Sequence, residues 1–104
     1  MTNAKTELLE HLVNKPKVKC AKLRTGYGWD EEGQTLYLLK CNYTNEDWET
    51  FLKSIDFNYD SGYGGQELFG TLWLEDGTWL ERGEYDGSEW WEYKKTPEIP
   101  DQII

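Results

Sequence analysis

Asp56, Asn58, Asp60 and Glu67 stand at positions 1, 3, 5 and 12 of a segment that follows a helical pattern. That is the ligand spacing of an EF-hand calcium loop, which needs hard oxygens at alternate positions and a bidentate glutamate to close it. Position 6, the glycine of such loops, is Ser61, with Gly62 one residue late, and the segment after Glu67 reads as a strand where an EF-hand has a helix. The competing reading is a loop of Asx turns in which Gly62, Gly64 and Gly65 supply positive φ. Calcium at these four residues is the one ion candidate, and no other cofactor is expected. The same glycines do not form a phosphate cradle, because no lysine, Ser/Thr pair or helix follows and the local charge opposes an anion.

Other reactive residue types are sparse. Glu81 and Glu92, expected to face each other across strands, are the paired carboxylates a glycosidase would use. A chain of 104 residues leaves little room for a cleft once its core is built, so the expectation is a protein without catalytic residues. Glycan binding through exposed tryptophan is the other ligand-binding alternative beside calcium. His11 is the single histidine, which leaves no Ser-His-Asp triad of the usual kind and no histidine pair for a metal. Cys20 and Cys41 fall on the two strands of one hairpin, within reach of facing each other. They lack the Cys-x-x-Cys spacing of a redox motif, and a disulfide between them is compatible with the sequence but not required by it.

These residues sit in an acidic, aromatic-rich chain. Lys plus Arg number 11 against 20 Asp plus Glu, for a formal net charge of −9, and aromatics make up 15% of residues, including 6 Trp and 7 Tyr. The length fits one domain over residues 1–104, and the aromatic content provides a core despite the polar average. Residues 1–43 carry 7 basic and 5 acidic side chains, residues 44–104 carry 4 and 15. Between Asp56 and Glu92 ten carboxylates stand with one base, Arg82. Direct nucleic-acid binding is disfavoured, since phosphate contacts depend on Lys and Arg. No apolar run approaches the ~20 residues of a membrane span, and residues 1–15 lack the regions of a secretory signal. The expectation is a soluble cytoplasmic protein without a membrane partner.

The elements that must position these groups make an α+β fold, in the order α-β-β-α-β-β-β. Leu8, Leu9, Leu12 and Val13 give a short first helix within residues 3–14, ended by Pro16. Residues 17–25 and 34–42 read as a hairpin with a long loop over 26–33, and the alternation slips near Cys20 and Ala21, as a bulge would make it do. Over 44–55, Thr44 and Asp47 form a capping box, and Trp48, Phe51, Leu52 and Ile55 fall at i, i+3, i+4 and i+7. Asp76-Gly77 and Asp86-Gly87 then set out a three-stranded meander.

If both turns have two residues, Leu74 lies opposite Trp79 and Tyr85 opposite Ser88. One face then carries Leu68, Gly70, Leu72, Leu74, Trp79, Glu81, Gly83, Tyr85, Trp90 and Glu92, and is assigned to the helices. The other carries Phe69, Thr71, Trp73, Leu80, Arg82, Glu84, Glu89, Trp91 and Tyr93, with Arg82 beside Trp91 in cation–π range. This second face is either covered by the N-terminal hairpin or a partner chain, or exposed as an aromatic patch fringed by carboxylates. The tail after residue 95, with two prolines, is expected to be extended.

The run 59–71, from Tyr59-Asp60-Ser61-Gly62 through Leu68-Phe69-Gly70-Thr71, and the run 76–92, from Asp76-Gly77-Thr78-Trp79 through Trp90-Trp91-Glu92, resemble small acidic proteins of uncharacterised function encoded by tailed phages and prophages. The resemblance covers roughly residues 57–100. It implies expression in a bacterial host and an accessory role on a host protein; no catalytic motif comes with it. Small acidic phage proteins include anti-CRISPR and anti-restriction inhibitors, some of them DNA mimics that present carboxylates at phosphate-like spacing. The expected function is therefore binding of a host protein that has a basic or nucleic-acid-binding surface. Asp76, Glu81, Glu84, Asp86, Glu89 and Glu92 would supply attraction, with Trp73, Trp91 and Tyr93 as anchors beside Arg82. A homodimer is compatible with the same surface.

Overall fold

Both helices start at a residue whose side chain supplies an acceptor for the first unpaired amides. A computed structural model describes residues 1–26, 34–62, 64–97 and 99–103 of the protein. Its elements are β1 (Thr2–Asn3), α1 (Ala4–Leu12), β2 (Val18–Thr25), β3 (Thr35–Leu39), α2 (Asn45–Ser54), β4 (Asn58–Tyr59), β5 (Leu68–Leu74), β6 (Trp79–Tyr85) and β7 (Ser88–Lys94). The Asn3 side chain accepts from the Thr6 amide at 2.9 Å to start α1. Thr44 and Asp47 exchange hydrogen bonds of 3.1 and 3.0 Å, the capping box expected for α2. A short 3-10 turn at Asp101–Ile103 interrupts the extended tail read from the prolines. The long loop expected in the first hairpin lies, at residues 27–33, outside the described residues.

The strands form a five-stranded antiparallel sheet in the order β3-β2-β5-β6-β7, and β1 pairs with β4 in a second, two-stranded sheet. The bulge expected in β2 is present between Val18 and Cys20. The first hairpin thus extends the sheet at its β5 edge and does not cover a face. α1 and α2 lie on the same face, where Ala4, Leu8, Phe51, Leu52 and Ile55 pack with Ala21, Leu23, Leu39, Leu72, Leu74, Leu80 and Trp91. No helix among the described residues is long and apolar enough to cross a membrane.

The register of the meander differs from the sequence expectation at one turn, with large consequences. Asp86 and Gly87 both have positive φ, 51° and 85°, and Tyr85 faces Ser88, the two-residue turn expected there. At the first turn Trp73, not Leu74, faces Trp79. The Leu74 amide donates to the Thr78 carbonyl at 2.9 Å, and the Gly77 amide to the Leu74 carbonyl at 3.2 Å, with Gly77 at φ 88°. This is a three-residue loop ending in a left-handed glycine. One extra loop residue turns every side chain of β6 and β7 to the opposite face. Leu80, Arg82, Trp91 and Glu89 therefore point to the helices, while Trp79, Glu81, Gly83, Trp90 and Glu92 join Phe69, Thr71 and Trp73 on the open face.

Candidate functional site

The register brings Arg82 into the interior, where its charge must be matched. Its Nη2 donates to Glu89 Oε1 at 2.9 Å and to the Tyr59 hydroxyl at 2.8 Å, and its Nη1 to Glu7 Oε1 at 3.0 Å. The Tyr59 hydroxyl donates to the same Glu7 oxygen. The guanidinium also lies 5.0 Å from the Trp91 ring and 5.6 Å from the Tyr59 ring, so the cation–π contact expected with Trp91 is present. The Arg82 and Glu89 side chains are 1% and 0% exposed. Glu89 does more than pair: its carboxylate accepts the amides of Glu67 and Leu68 at 2.7 and 3.0 Å, which tethers the start of β5. Burial, then the hydrogen bond to Glu7, pushes the Tyr59 phenol well above its ordinary range. The cluster ties together α1, β4, β6 and β7. Among the described residues, Arg82 Nε and Trp91 Nε1 are buried donors without a hydrogen-bond partner.

This overturns part of the expected docking surface. Arg82, Glu89 and Trp91, the last 4% exposed, are interior residues and do not reach a partner. Trp73, Glu81 and Glu92 do share the open face. There Trp90 lies over Gly83, and its Nε1 donates to Glu92 Oε1 at 3.0 Å. That bond, then Lys94 at 3.3 Å, holds the Glu92 carboxyl below its ordinary range. Glu81 and Glu92 pair across the strands as expected, but on a sheet surface and not in a cleft. Asp76 is at the opposite end of the sheet from the β6–β7 turn, and its carboxyl is held low by the Thr78 hydroxyl and amide. Tyr93 is 45% exposed on the helix-side edge, with Lys15 Nζ 4.8 Å from its ring.

Glu84 and Asp86 flank Tyr85 at the β6–β7 turn, where Tyr85 is 76% exposed. The Asp60–Glu67 loop meets this turn: the Glu89 amide donates to the Ser61 carbonyl at 2.8 Å, and Glu67 Oε2 accepts the Asp60 amide at 2.9 Å. Exposed Asp60, Glu67, Glu84, Tyr85 and Asp86 are thus at one end of the molecule. Tyr85, expected on the helix-covered face, is instead on the open face, a position set by the register of β6. Lys22, Arg24, Leu36 and Leu38 of the hairpin share the open face with Trp73 through the β2–β5 pairing.

The calcium reading is not supported by the loop's geometry. Asn3 Nδ2 donates to Asp56 Oδ1 at 2.9 Å and to Asn58 Oδ1 at 3.2 Å, while Asp60 accepts from the Gly62 amide and Glu67 from the Asp60 amide. The ligand oxygens are turned to different donors, and among the described residues no three His, Cys, Asp or Glu side chains converge on a metal position. The Asp60 side chain accepts the Gly62 amide in an Asx-type turn, and Gly64 has φ 87°. Cys20 and Cys41 are free thiols whose sulfurs hydrogen-bond; burial, then that bond, pushes the Cys20 thiol up. Against known proteins the chain matches no family model, no curated protein and no solved structure.

Proposed function

We propose that the chain is a non-enzymatic, phage-type accessory protein that binds a host protein in the bacterial cytoplasm, in the manner of an anti-CRISPR or anti-restriction inhibitor. The docking element is the acidic end formed by Asp60, Glu67, Glu84 and Asp86 together with Tyr85. One observation carries this reading: the single base between Asp56 and Glu92, Arg82, is turned into the core, so the exposed carboxylates of that segment have no base of their own segment beside them at this end. Their field extends about a Debye length, ~8 Å in physiological salt, and steers basic surfaces toward the tip. Tyr85 supplies an aromatic ring of the kind that anchors interfaces. A basic, nucleic-acid-binding surface fits these features, with the carboxylates standing where phosphates would.

The test is capture of host proteins from bacterial lysate on the immobilised full chain and on a variant carrying Glu84→Gln, Tyr85→Ala and Asp86→Asn. A basic host protein retained at low salt, released at high salt and not retained by the variant is the expected result. Equal retention by variant and native chain, or retention indifferent to salt, rejects the acidic end as the docking element.

A further inference from the structure

The open face of the five-stranded sheet carries a charge pattern with a direction. One continuous row crosses it through paired positions: Leu38 beside Lys22, Lys22 beside Thr71, Thr71 beside Glu81 and Glu81 beside Glu92. The row is basic on the β2 side, neutral on central β5 and acidic on the β6–β7 side, where two carboxylates share one base, Lys94, at 3.6 and 3.3 Å. A parallel row holds Cys20, Trp73, Trp79 and Lys94, and a third begins with Leu36, Arg24 and Phe69. Trp73 is 41% exposed, and Leu36 and Leu38 are 52% and 53% exposed. Among the described residues Lys22 has no carboxylate within ion-pair distance, although it stands in a strongly acidic chain.

We infer that this face binds a second copy of the chain, the two sheets stacking about a two-fold axis that runs along β5. β5 is the third of five strands, so this axis lays β2 over the partner's β6 and β3 over its β7. Lys22 then faces the partner's Glu81, and by symmetry Glu81 faces the partner's Lys22, as an isologous interface requires. Leu36 and Leu38 cover the partner's Trp90 and Glu92 strand, and Thr71 and Trp73 meet their own copies near the axis. Charge selects this axis. A two-fold in the interface plane but perpendicular to the strands would stack β2 on β2 and set Lys22 against Lys22. The arrangement is the aligned stacking of two sheets, whose inner faces lie ~10 Å apart. It buries the tryptophans that the register left open to water, and it leaves the two acidic ends on the same side of the dimer and outside the interface.

This inference does not rest on the acidic end as a docking element, and it is tested on the purified full chain alone. Sedimentation equilibrium is expected to show a mass rising with concentration from 12.3 kDa toward twice that value. Lys22→Glu and Glu81→Lys, each on an exposed side chain, are expected to weaken association about tenfold or more, and the two together to restore it in part. Trp73→Ser is expected to abolish it, while Glu84→Gln, at a helix-side position of β6, leaves it unchanged. Circular dichroism on each variant reports whether the fold is kept. A monomeric mass at every concentration overturns the proposal, as does a dimer that keeps its affinity in the folded Lys22, Glu81 and Trp73 variants.

Discussion

Arg82 is held by two carboxylates, a phenol and two aromatic rings in a place water does not reach. A buried ion pair adds little net stability when formed, because desolvation offsets attraction, yet removal of one partner leaves the other charge uncompensated. Arg82→Leu is therefore expected to cost about 3–5 kcal/mol in urea denaturation. Glu89→Ala should fall in the same range, since it also strands the Glu67 and Leu68 amides. A loss under about 1 kcal/mol in either variant contradicts the role assigned to the cluster. Tyr59 gives the cluster a pH signature. Its phenol pKa is raised in the folded state, so the folded chain keeps a proton that the unfolded chain loses above about pH 10. Stability from this group is full below that pH and declines as pH rises further. Tyr59→Phe should flatten the alkaline decline between about pH 10 and 11.5 relative to the native chain, read from denaturation midpoints. Parallel declines in the two proteins would mean that Tyr59 titrates normally.

At the scale of elements, the meander depends on two glycine-assisted turns of different length and on one close approach between strands. Gly70 in β5 has φ 134°, and a Cβ there would lie 2.3 Å from the Lys22 carbonyl oxygen and 2.7 Å from the Leu23 Cα. Both are backbone atoms, which cannot move aside without separating β2 from β5. Gly70→Ala is expected to destabilise by roughly 3 kcal/mol or more, near the upper range for single substitutions, or to prevent folding. Gly62→Ala, where a Cβ meets nothing within 4 Å, serves as the control and should cost under about 1 kcal/mol. Comparable midpoints for the two variants would show that the strands can part cheaply.

Across the whole molecule, one sheet face is covered by helices and the other is left with tryptophans, leucines and a charge gradient. A chain that buries such a face against its own copy gains stability by mass action. Its melting temperature should rise as protein concentration is raised a hundredfold, and the rise should vanish in Trp73→Ser. A melting temperature independent of concentration in the native chain speaks against pairing. The acidic end responds differently: its binding depends on salt and not on self-concentration, so the two surfaces can be examined separately.

Local rules carried much of the architecture. The capping box and the apolar stripe of α2, the β2 bulge, the Asp86-Gly87 turn and the α+β class all follow from neighbouring residues, because caps, turns and helical periodicity are short-range effects. The Trp90–Gly83 and Arg82–Trp91 pairs were legible too, since both lie within the hairpin whose turn was read correctly. Which face of that hairpin meets the helices was not legible. It hangs on whether Asp76-Gly77 closes a two- or a three-residue loop, and that dipeptide suits either. The choice is made by distant partners: Leu80 completes the core with Leu72, and Glu7 and Tyr59, at the other end of the chain or across a loop, receive Arg82. Composition determined an acidic, aromatic chain; only the tertiary structure decided which aromatics and which carboxylates face water, because the energy that selects the register comes from burial and long-range charge pairing.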